Sequence, residues 1–237
     1  MSAPTPGAPE KAAVRSMFDR IAPRYDLLNR VLSAGIDVRW RRRCIDAVAG
    51  ASRVLDLCSG TGDLLVEFLA RDPARTGVGV DLSTEMLVRG AAKLRRHGMS
   101  GRGRMAAGDA ERLPVRAGSF DAATVAFGIR NVGDPAAALR EMHRALRAGG
   151  RAAILEFSMP GGTLGGAYRL YFTQVLPRIG GLVSGDAGAY SYLPASVGRF
   201  PAPAEFAAAM TSAGFDRVRF TALTAGIAHL YTGEKKA

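Results

Sequence analysis

A loop with two alternate glycines carries the clearest suggestion of ligand binding in this chain. Residues 54–63 (VLDLCSGTGD) begin as an apolar run and end where a helical pattern starts. Gly60 and Gly62 lack a Cβ, so the backbone there can approach a ligand closely. A dinucleotide-binding loop needs a third glycine where this chain has Leu65. The loop is therefore either an ordinary tight turn or a site for a cofactor other than a dinucleotide.

Asp63, at the start of the following helix, narrows the choice of cofactor. A helix N-terminus attracts phosphate, but a carboxylate at that position repels it. S-adenosylmethionine carries a sulfonium and an ammonium group and no phosphate. The loop therefore favours S-adenosylmethionine over NAD.

Two further carboxylates follow predicted strands. Asp81 ends the next strand after the glycine loop, where a carboxylate can accept hydrogen bonds from both hydroxyls of a ribose. Its alternative role is to cap the helix that follows. Asp109 comes after the third strand and can accept a hydrogen bond from an adenine amino group, with Ala110 in close backbone contact. An Asx turn is the alternative for Asp109.

The elements that must position these residues alternate between short strands and helices. Helical patterns lie near 63–71, 84–97, 134–148 and 203–213. Strands are predicted at Arg53–Leu57, Gly77–Leu82, Gly103–Ala107, Phe120–Phe127, Arg151–Phe157, Phe215–Leu223 and Ile227–Gly233. This alternation predicts an α/β fold with a mostly parallel sheet, helices on both faces and ligands at the carboxyl ends of the strands.

Three segments lie outside this alternation. Residues 1–10 are rich in Pro and Ala and are predicted to form a flexible tail. Residues 11–50 show helical spacing interrupted at Pro23, which predicts an N-terminal helical cap. Residues 160–200 contain many Gly, Tyr and Pro and are predicted to be an insertion. We expect residues 11–237 to form a single domain.

Composition excludes several classes of protein. With 48% hydrophobic and 22% charged residues the chain is not disordered, and Cys44 and Cys58 are too few for a disulfide scaffold. It has no run of apolar residues long enough for a transmembrane helix and no signal peptide, so a cytoplasmic location is expected. The scattered His97, His143 and His229 do not have metal-ligand spacing, so no metal is predicted.

The net charge of +11 favours anionic partners such as nucleic acid or acidic lipid. Because 28 of the 32 basic residues are Arg, a GC-rich coding bias is the alternative explanation. Aromatic residues do not alternate with basic ones as stacking on nucleic acid requires. The Asn/Asp-Pro-Pro-aromatic motif of base methylation is also absent after the fourth strand, where residues 128–131 read GIRN. We therefore expect no nucleic-acid partner.

The glycine loop and the two later carboxylates, in this order, resemble the S-adenosylmethionine-dependent methyltransferases with a Rossmann-like, seven-stranded sheet. Residues 25–29 (YDLLN) and 32–41 (LSAGIDVRWR) are similar to the N-terminal signature of the menaquinone and ubiquinone C-methyltransferases. Residues 127–132 (FGIRNV) and 144–158 (RALRAGGRAAILEFS) resemble two further motifs of that family. The resemblance extends over residues 14–236.

The resemblance implies methyl transfer from S-adenosylmethionine to a ring carbon of demethylmenaquinol, which gives menaquinol. A benzoquinol precursor of ubiquinone stays open as an acceptor, and another small hydrophobic natural product is the alternative. The expected partners are a prenylated quinol and the anionic inner face of a membrane, with the protein cytoplasmic and peripherally attached. Arg39, Arg41, Arg42, Arg43 and the insertion at 160–200, on the substrate side, are predicted to face the bilayer. A homodimer is a further expectation.

Arg130 and Asn131 are the first candidates for the residues that face the quinol hydroxyl. Arg130 can stabilise a phenolate and Asn131 can orient a ring oxygen or a water molecule. Tyr25 and Asp26 come second, because their segment should lie over the cofactor. The alternatives are a structural role for Arg130 and simple packing for Tyr25. The predicted cofactor-binding residues are Asp56, Gly60, Thr61, Asp81, Asp109 and Ala110.

The chain departs from the family pattern at three positions near these residues. Cys58 replaces the first of three glycines that S-adenosylmethionine-dependent methyltransferases usually have in this loop, and Asp37 stands where many members of the quinone C-methyltransferase family have His. Ala126 occupies a position where some members place a Ser that contacts the cofactor. No histidine role can therefore be assigned at position 37, and one hydrogen bond to the cofactor is expected to be missing.

Overall fold

The short apolar segments form one seven-stranded sheet in the computed structural model, which describes residues 10–161, 165–166, 170–175 and 187–237. The strands are β1 Arg53–Leu57, β2 Thr76–Asp81, β3 Gly103–Ala107, β4 Phe120–Ala126, β5 Leu146–Phe157, β6 Asp216–Leu223 and β7 Ala228–Glu234. The helices are α1 Lys11–Ile21, α2 Tyr25–Leu32, α3 Ile36–Asp46, α4 Asp63–Ala70, α5 Thr84–Arg96, α6 Pro135–Ala145, α7 Ala187–Arg199 and α8 Pro203–Ser212. The tail predicted at 1–10 lies outside the described residues except for Glu10.

The strand order is β3-β2-β1-β4-β5-β7-β6, with β1 to β5 parallel and β7 antiparallel to both of its neighbours. This confirms the predicted seven-stranded, mostly parallel sheet. The chain moves outward from β1 to β3 and then returns to the other side of β1 as β4. In open α/β sheets, ligands bind beside the carboxyl ends of the strands at such a reversal. The loops after β1 and β4 therefore mark the expected site.

Helices cover both faces of the sheet, as the near-continuous apolar sequence of its central strands requires. Leu55 and Val125 pack on one side with residues from α6 and α8. Val54 packs on the other side with residues from α3, α4 and α5. A third cluster joins α1 and α2 to α5 and α7 and includes Met17 and Leu28.

The boundary between α6 and β5 differs from the sequence prediction. A helix was expected to continue to residue 148, but α6 ends at Ala145 and β5 begins at Leu146. Leu146 has an extended backbone and pairs with Phe120 of β4. The turn at Gly149, with φ 72°, is then held by hydrogen bonds between residues 149–150 and Lys235. These bonds come from the far end of the chain, which local periodicity does not reveal.

No helix in the described part of the chain is long and apolar enough to span a membrane. The segment 160–200, predicted as an insertion, is described only in part and contains a π-helical turn, Tyr171–Val175, and α7.

Candidate active site

Three cavities meet at the carboxyl ends of β1, β2 and β4. The strand cavity, of about 730 Å³, is lined by residues that follow these strands, including Asp81, Asp109 and Asn131. The loop cavity, of about 300 Å³, is enclosed by the glycine loop. The apolar cavity, of about 1020 Å³, lies under α1, α2 and α3. Tyr25 lines all three cavities.

Asp81 organises the glycine loop as well as lining the strand cavity. Its Oδ2 accepts a hydrogen bond from the backbone N–H of Gly60 at 2.8 Å, and its Oδ1 accepts one from Ser83 at 2.8 Å. Burial raises the pKa of Asp81, against the lowering effect of these bonds. Each carboxylate oxygen keeps a second lone pair, so the group can still accept a ribose hydroxyl.

Asp109 and Ala110 lie at the far side of the strand cavity. The carboxylate of Asp109 accepts a hydrogen bond from the backbone N–H of Glu111 at 2.9 Å, which is the geometry of an Asx turn. Lys11, at the start of α1, contacts Asp109 at 2.6 Å and Glu111 at 2.7 Å. Lys11, the first residue of α1, thus fixes this helix against the part of the strand cavity where an adenine is expected.

Asp56 lies below the loop cavity and is almost wholly buried. Its carboxylate accepts hydrogen bonds from Ser59 at 2.7 Å and from Thr124 at 2.9 Å. Burial raises its pKa to about 7, and these two hydroxyl donors offset part of that effect. The group is therefore close to half ionised at neutral pH and can stabilise a cation that enters the loop cavity.

Asp63 lines the loop cavity, but its charge is already compensated. Lys93 contacts it at 2.5 Å and Arg30 at 2.9 Å. Lys93 also contacts Asp26 at 2.7 Å and donates to the hydroxyl of Thr61 at 3.0 Å. The positive charge of Arg41, together with those of Lys93 and Arg30, holds the pKa of Asp63 below its usual range despite burial.

This network joins α2 to α4 and α5, and sequence reasoning missed it. Lys93 looks from the sequence like part of a solvated helix face, and no local pattern pairs it with the glycine loop. Thr61 is likewise turned toward α2, because its hydroxyl donates to Asp26 at 2.5 Å. The segment containing Asp26 is thereby fixed over the glycine loop.

Arg130 and Asn131 point into different cavities. Arg130 lines the apolar cavity, and its Nη1 contacts Oε1 of Glu156, a fully buried carboxylate, at 2.7 Å. Its Nε donates to Ser196 at 3.2 Å. Asn131 lines the strand cavity, where its buried Oδ1 has no hydrogen-bond partner among the described residues. The two side chains therefore do not act on one group from one side.

Tyr25 lies between the positive charges of Arg41 and Arg130. Burial raises the pKa of its phenol, and the two guanidinium groups counteract this only in part. Tyr25 is therefore a neutral hydrogen-bond donor at physiological pH. Tyr192 also lines the apolar cavity, whereas His229 packs near Phe220 and Tyr231 and lines none of the three cavities. Tyr190 lies in α7, and its side chain is outside the described part.

Comparison with known proteins identifies the family. The model of the ubiE/COQ5 methyltransferase family matches residues 7–235. The chain belongs to this family. It is 50% identical over 226 residues to the ubiquinone/menaquinone biosynthesis C-methyltransferase UbiE of Geotalea uraniireducens, covering 94% of this chain and 96% of the relative. It is 48% identical to the demethylmenaquinone methyltransferase of Thermus thermophilus, covering 92% of this chain and all of the relative.

Solved structures share the fold at lower identity. A SAM-dependent methyltransferase of Thermotoga maritima superposes with a TM-score of 0.61 at 21% identity, over 94% of this chain and all of the other. The [4+2]-cyclase SpnF superposes with a TM-score of 0.62 at 22% identity, over 97% and 98% of the two chains. These likenesses concern the fold.

Cys58, which replaces the first glycine of the general methyltransferase motif, has a strained backbone. Cys58 has φ 48°, and Phe127, at the end of β4, has φ 59°, both in the left-handed region that favours glycine. Gly128 must lack a side chain because a Cβ there would lie 2.4 Å from the Cβ of Cys58. Burial and nearby carboxylates raise the pKa of the Cys58 thiol well above its usual value, so it is not a nucleophile.

The residues present fit an adenosyl cofactor with a cationic methionyl end. The strand cavity offers the carboxylates of Asp81 and Asp109 and the unpaired Oδ1 of Asn131. The loop cavity offers Asp56 and the glycine backbone. Ala126 lines both cavities and brings no hydroxyl, so the hydrogen bond expected from a Ser at this position is missing.

Proposed function

We propose that this protein transfers the methyl group of S-adenosylmethionine to a ring carbon of demethylmenaquinol and so completes a menaquinol. The relatives in the same family carry the names of this reaction and of its ubiquinone counterpart. A prenylated naphthoquinol is the acceptor, and S-adenosylmethionine is the methyl donor.

One observation carries the proposal: the cavity whose carboxylates suit the cofactor and a larger apolar cavity share a wall. Phe18, Tyr25 and Phe127 line both the strand cavity and the apolar cavity. The apolar cavity is lined mainly by Met, Ile, Leu, Trp and Phe side chains, with a few polar groups. Such a lining suits a flat, prenylated ring and not a charged or strongly polar acceptor.

The cofactor is held by residues of the strand and loop cavities. Asp81 accepts the ribose hydroxyls, Asp109 accepts the adenine amino group, and Ala110 packs against the ring. Gly60 and Thr61 allow the chain to pass close to the cofactor, and Asn131 offers its unpaired oxygen. When bound, S-adenosylmethionine supplies an electrophilic methyl group on its sulfonium centre.

Arg130 is the residue that acts on the acceptor. Its Nη2 has no hydrogen-bond partner in the described part of the chain and is available to an oxygen atom in the apolar cavity. A guanidinium beside a quinol hydroxyl lowers the pKa of that hydroxyl, so that its proton passes to water, and stabilises the resulting phenolate. The phenolate makes the adjacent ring carbon nucleophilic. Tyr25, a neutral donor, orients the ring at the junction of the cavities.

The experiment is a transfer assay with methyl-labelled S-adenosylmethionine. We expect label in the product when reduced demethylmenaquinol is present and none with the oxidised quinone, which has no hydroxyl to ionise. A prenylated benzoquinol, tested in parallel, shows whether the second ring type is accepted. Label that appears only with an unrelated hydrophobic acceptor, or with no quinol, would overturn the proposal.

We further propose that the protein docks on anionic membranes through the outer face of α2. Leu27 and Val31, one turn apart on α2, are 57% and 48% exposed. Arg39 and Arg43 are exposed on the neighbouring α3. One part of the arginine prediction is wrong: Arg41 is buried and pairs with Asp37, so it does not face the bilayer.

Vesicle flotation tests this docking. The variant Leu27→Ser/Val31→Ser should lose binding to anionic vesicles, and high salt should weaken the binding of the wild type. Val88→Ser, at a residue that is 58% exposed on α5, is the matched control and should bind normally. Equal binding of the wild type to neutral and anionic vesicles would remove the electrostatic part of the claim. The expected homodimer stays a prediction, which sedimentation velocity tests.

A further inference from the structure

Arg41 is a buried cation for which the reaction described above provides no role. Its side chain is 8% exposed, and it lines both the loop cavity and the apolar cavity. Its Nη1 donates to Asp37, and its guanidinium carbon lies 5.3 Å from the ring centre of Phe127. Its Nε and Nη2 have no hydrogen-bond partner among the described residues, yet neither atom is fully buried. They are therefore open to a ligand in the adjoining cavities.

The other cations near the loop cavity are more fully engaged. Lys93 is held between Asp26 and Asp63. Arg30 contacts Asp63 at 2.9 Å and also contacts Asp37. Arg41 shares its one carboxylate partner with Arg30. It is thus the cation at this cavity with the most capacity for another anion.

A cofactor bound as proposed would place one anionic group, the carboxylate of its methionyl part, in the loop cavity. Gly60 lines both the strand cavity and the loop cavity, so a chain that leaves the ribose at Asp81 continues past it into the loop cavity. The methionyl part of the cofactor ends in an ammonium group and a carboxylate. Asp56 suits the ammonium group. A carboxylate in this enclosed space needs a cationic donor, because an unpaired buried charge is costly.

We propose that Arg41 binds the α-carboxylate of the methionyl moiety. The inference rests on the proposed cofactor. The planar guanidinium offers two N–H donors in the geometry that a carboxylate accepts. Asp63 does not repel the carboxylate strongly, because Lys93 and Arg30 contact it directly and Arg41 adds a third positive charge nearby.

The test compares two ligands on each protein by calorimetry. S-adenosylhomocysteine has the carboxylate, and its decarboxylated analogue keeps the adenosyl, sulfur and ammonium groups. We expect the wild type to prefer S-adenosylhomocysteine by about ten- to a hundredfold, the range for a charge-assisted hydrogen bond. Arg41→Met should reduce this preference to within about threefold. Arg96→Met, at an exposed arginine of α5 to which no role is assigned, should keep the wild-type preference.

The preference is a ratio measured on one sample, so partial unfolding of a variant does not alter it. Asp37 also keeps Arg30 and Ser33 as partners when Arg41 is replaced. If Arg41→Met retains the wild-type preference, or if the wild type has none, the assignment is wrong. If the wild type binds neither ligand, the proposal that S-adenosylmethionine is the cofactor is wrong, and the proposed role of Arg41 is then wrong as well.

Discussion

Arg130→Met removes the cation that is paired with Glu156, a carboxylate with no exposed surface. Removal of one partner from a buried ion pair costs about 3–5 kcal/mol, because the other charge is left without compensation. The backbone N–H groups of Phe157 and Arg130 still donate to Glu156, at 2.9 and 3.3 Å. We therefore expect a loss near the lower limit, about 3 kcal/mol, which is a large share of the stability of a typical domain.

This loss should depend on pH, because Glu156 can become neutral by binding a proton. Burial already raises the pKa of Glu156, and the positive charge of Arg130 works against that rise. Without Arg130 the pKa in the folded state rises further. A carboxyl group with a higher pKa in the folded than in the unfolded state loses its stabilising contribution as pH rises through the folded pKa. The variant should therefore be close to wild-type stability near pH 5 and least stable near pH 8.

Urea unfolding at three pH values, together with turnover, separates the two roles of Arg130. The double variant Arg130→Met/Glu156→Gln removes the buried charge and should recover most of the stability. Its turnover should stay about a hundredfold low, the scale for loss of one donor to a developing anion. A stability loss that does not grow with pH would refute the ion-pair reasoning. Recovery of turnover in the double variant would show that Arg130 is structural.

Three other changes give equally direct tests. Asp81→Ala should weaken binding of S-adenosylhomocysteine by about 1.5–3 kcal/mol in calorimetry, and unchanged affinity in a folded variant would contradict the ribose assignment. Gly128→Ala should destabilise the protein by about 1–3 kcal/mol through its contact with Cys58, and Cys58→Gly should rescue it in urea unfolding. Stability without ligand should fall as pH rises through about 7, where Asp56 ionises in the fold, and Asp56→Asn should flatten that part of the profile.

The fold could be predicted from the sequence because most of its signals are local. Fewer than ten residues are enough to predict each of three features: strand β1, strand β4 and the glycine loop. The antiparallel direction of β7 and the early start of β5 could not be predicted in this way. The direction of β7 depends on pairing of residues 151–157 with residues 228–234. The early start of β5 depends on the pairing of Leu146 with Phe120 and on the hydrogen bonds to Lys235. These partners are remote in sequence.

The site residues also fall into two groups: those that the local sequence predicts and those that only the packing of distant segments reveals. Asp81 and Asp109 could be placed because each directly follows a strand whose carboxyl end meets the others at one edge of the sheet. Arg41 lies in a run of arginines that reads as a solvated surface, and only the packing of α3 shows that it turns inward. The separation of Arg130 from Asn131 depends on the 3₁₀ turn at residues 129–131, which directs consecutive side chains into different cavities.

The sheet alone does not determine the reaction, since the [4+2]-cyclase SpnF shares the fold. In this chain the candidate site depends on the wall between the strand cavity and the apolar cavity. Phe127 holds a left-handed backbone there, which costs about 1–3 kcal/mol, and its ring stacks on Phe157 at 4.2 Å. Trp40, from α3, packs against the same two rings at 6.0 and 6.1 Å. The strained turn after β4 and the helices α1 to α3 therefore each supply one side of the space in which the proposed acceptor would meet the methyl donor.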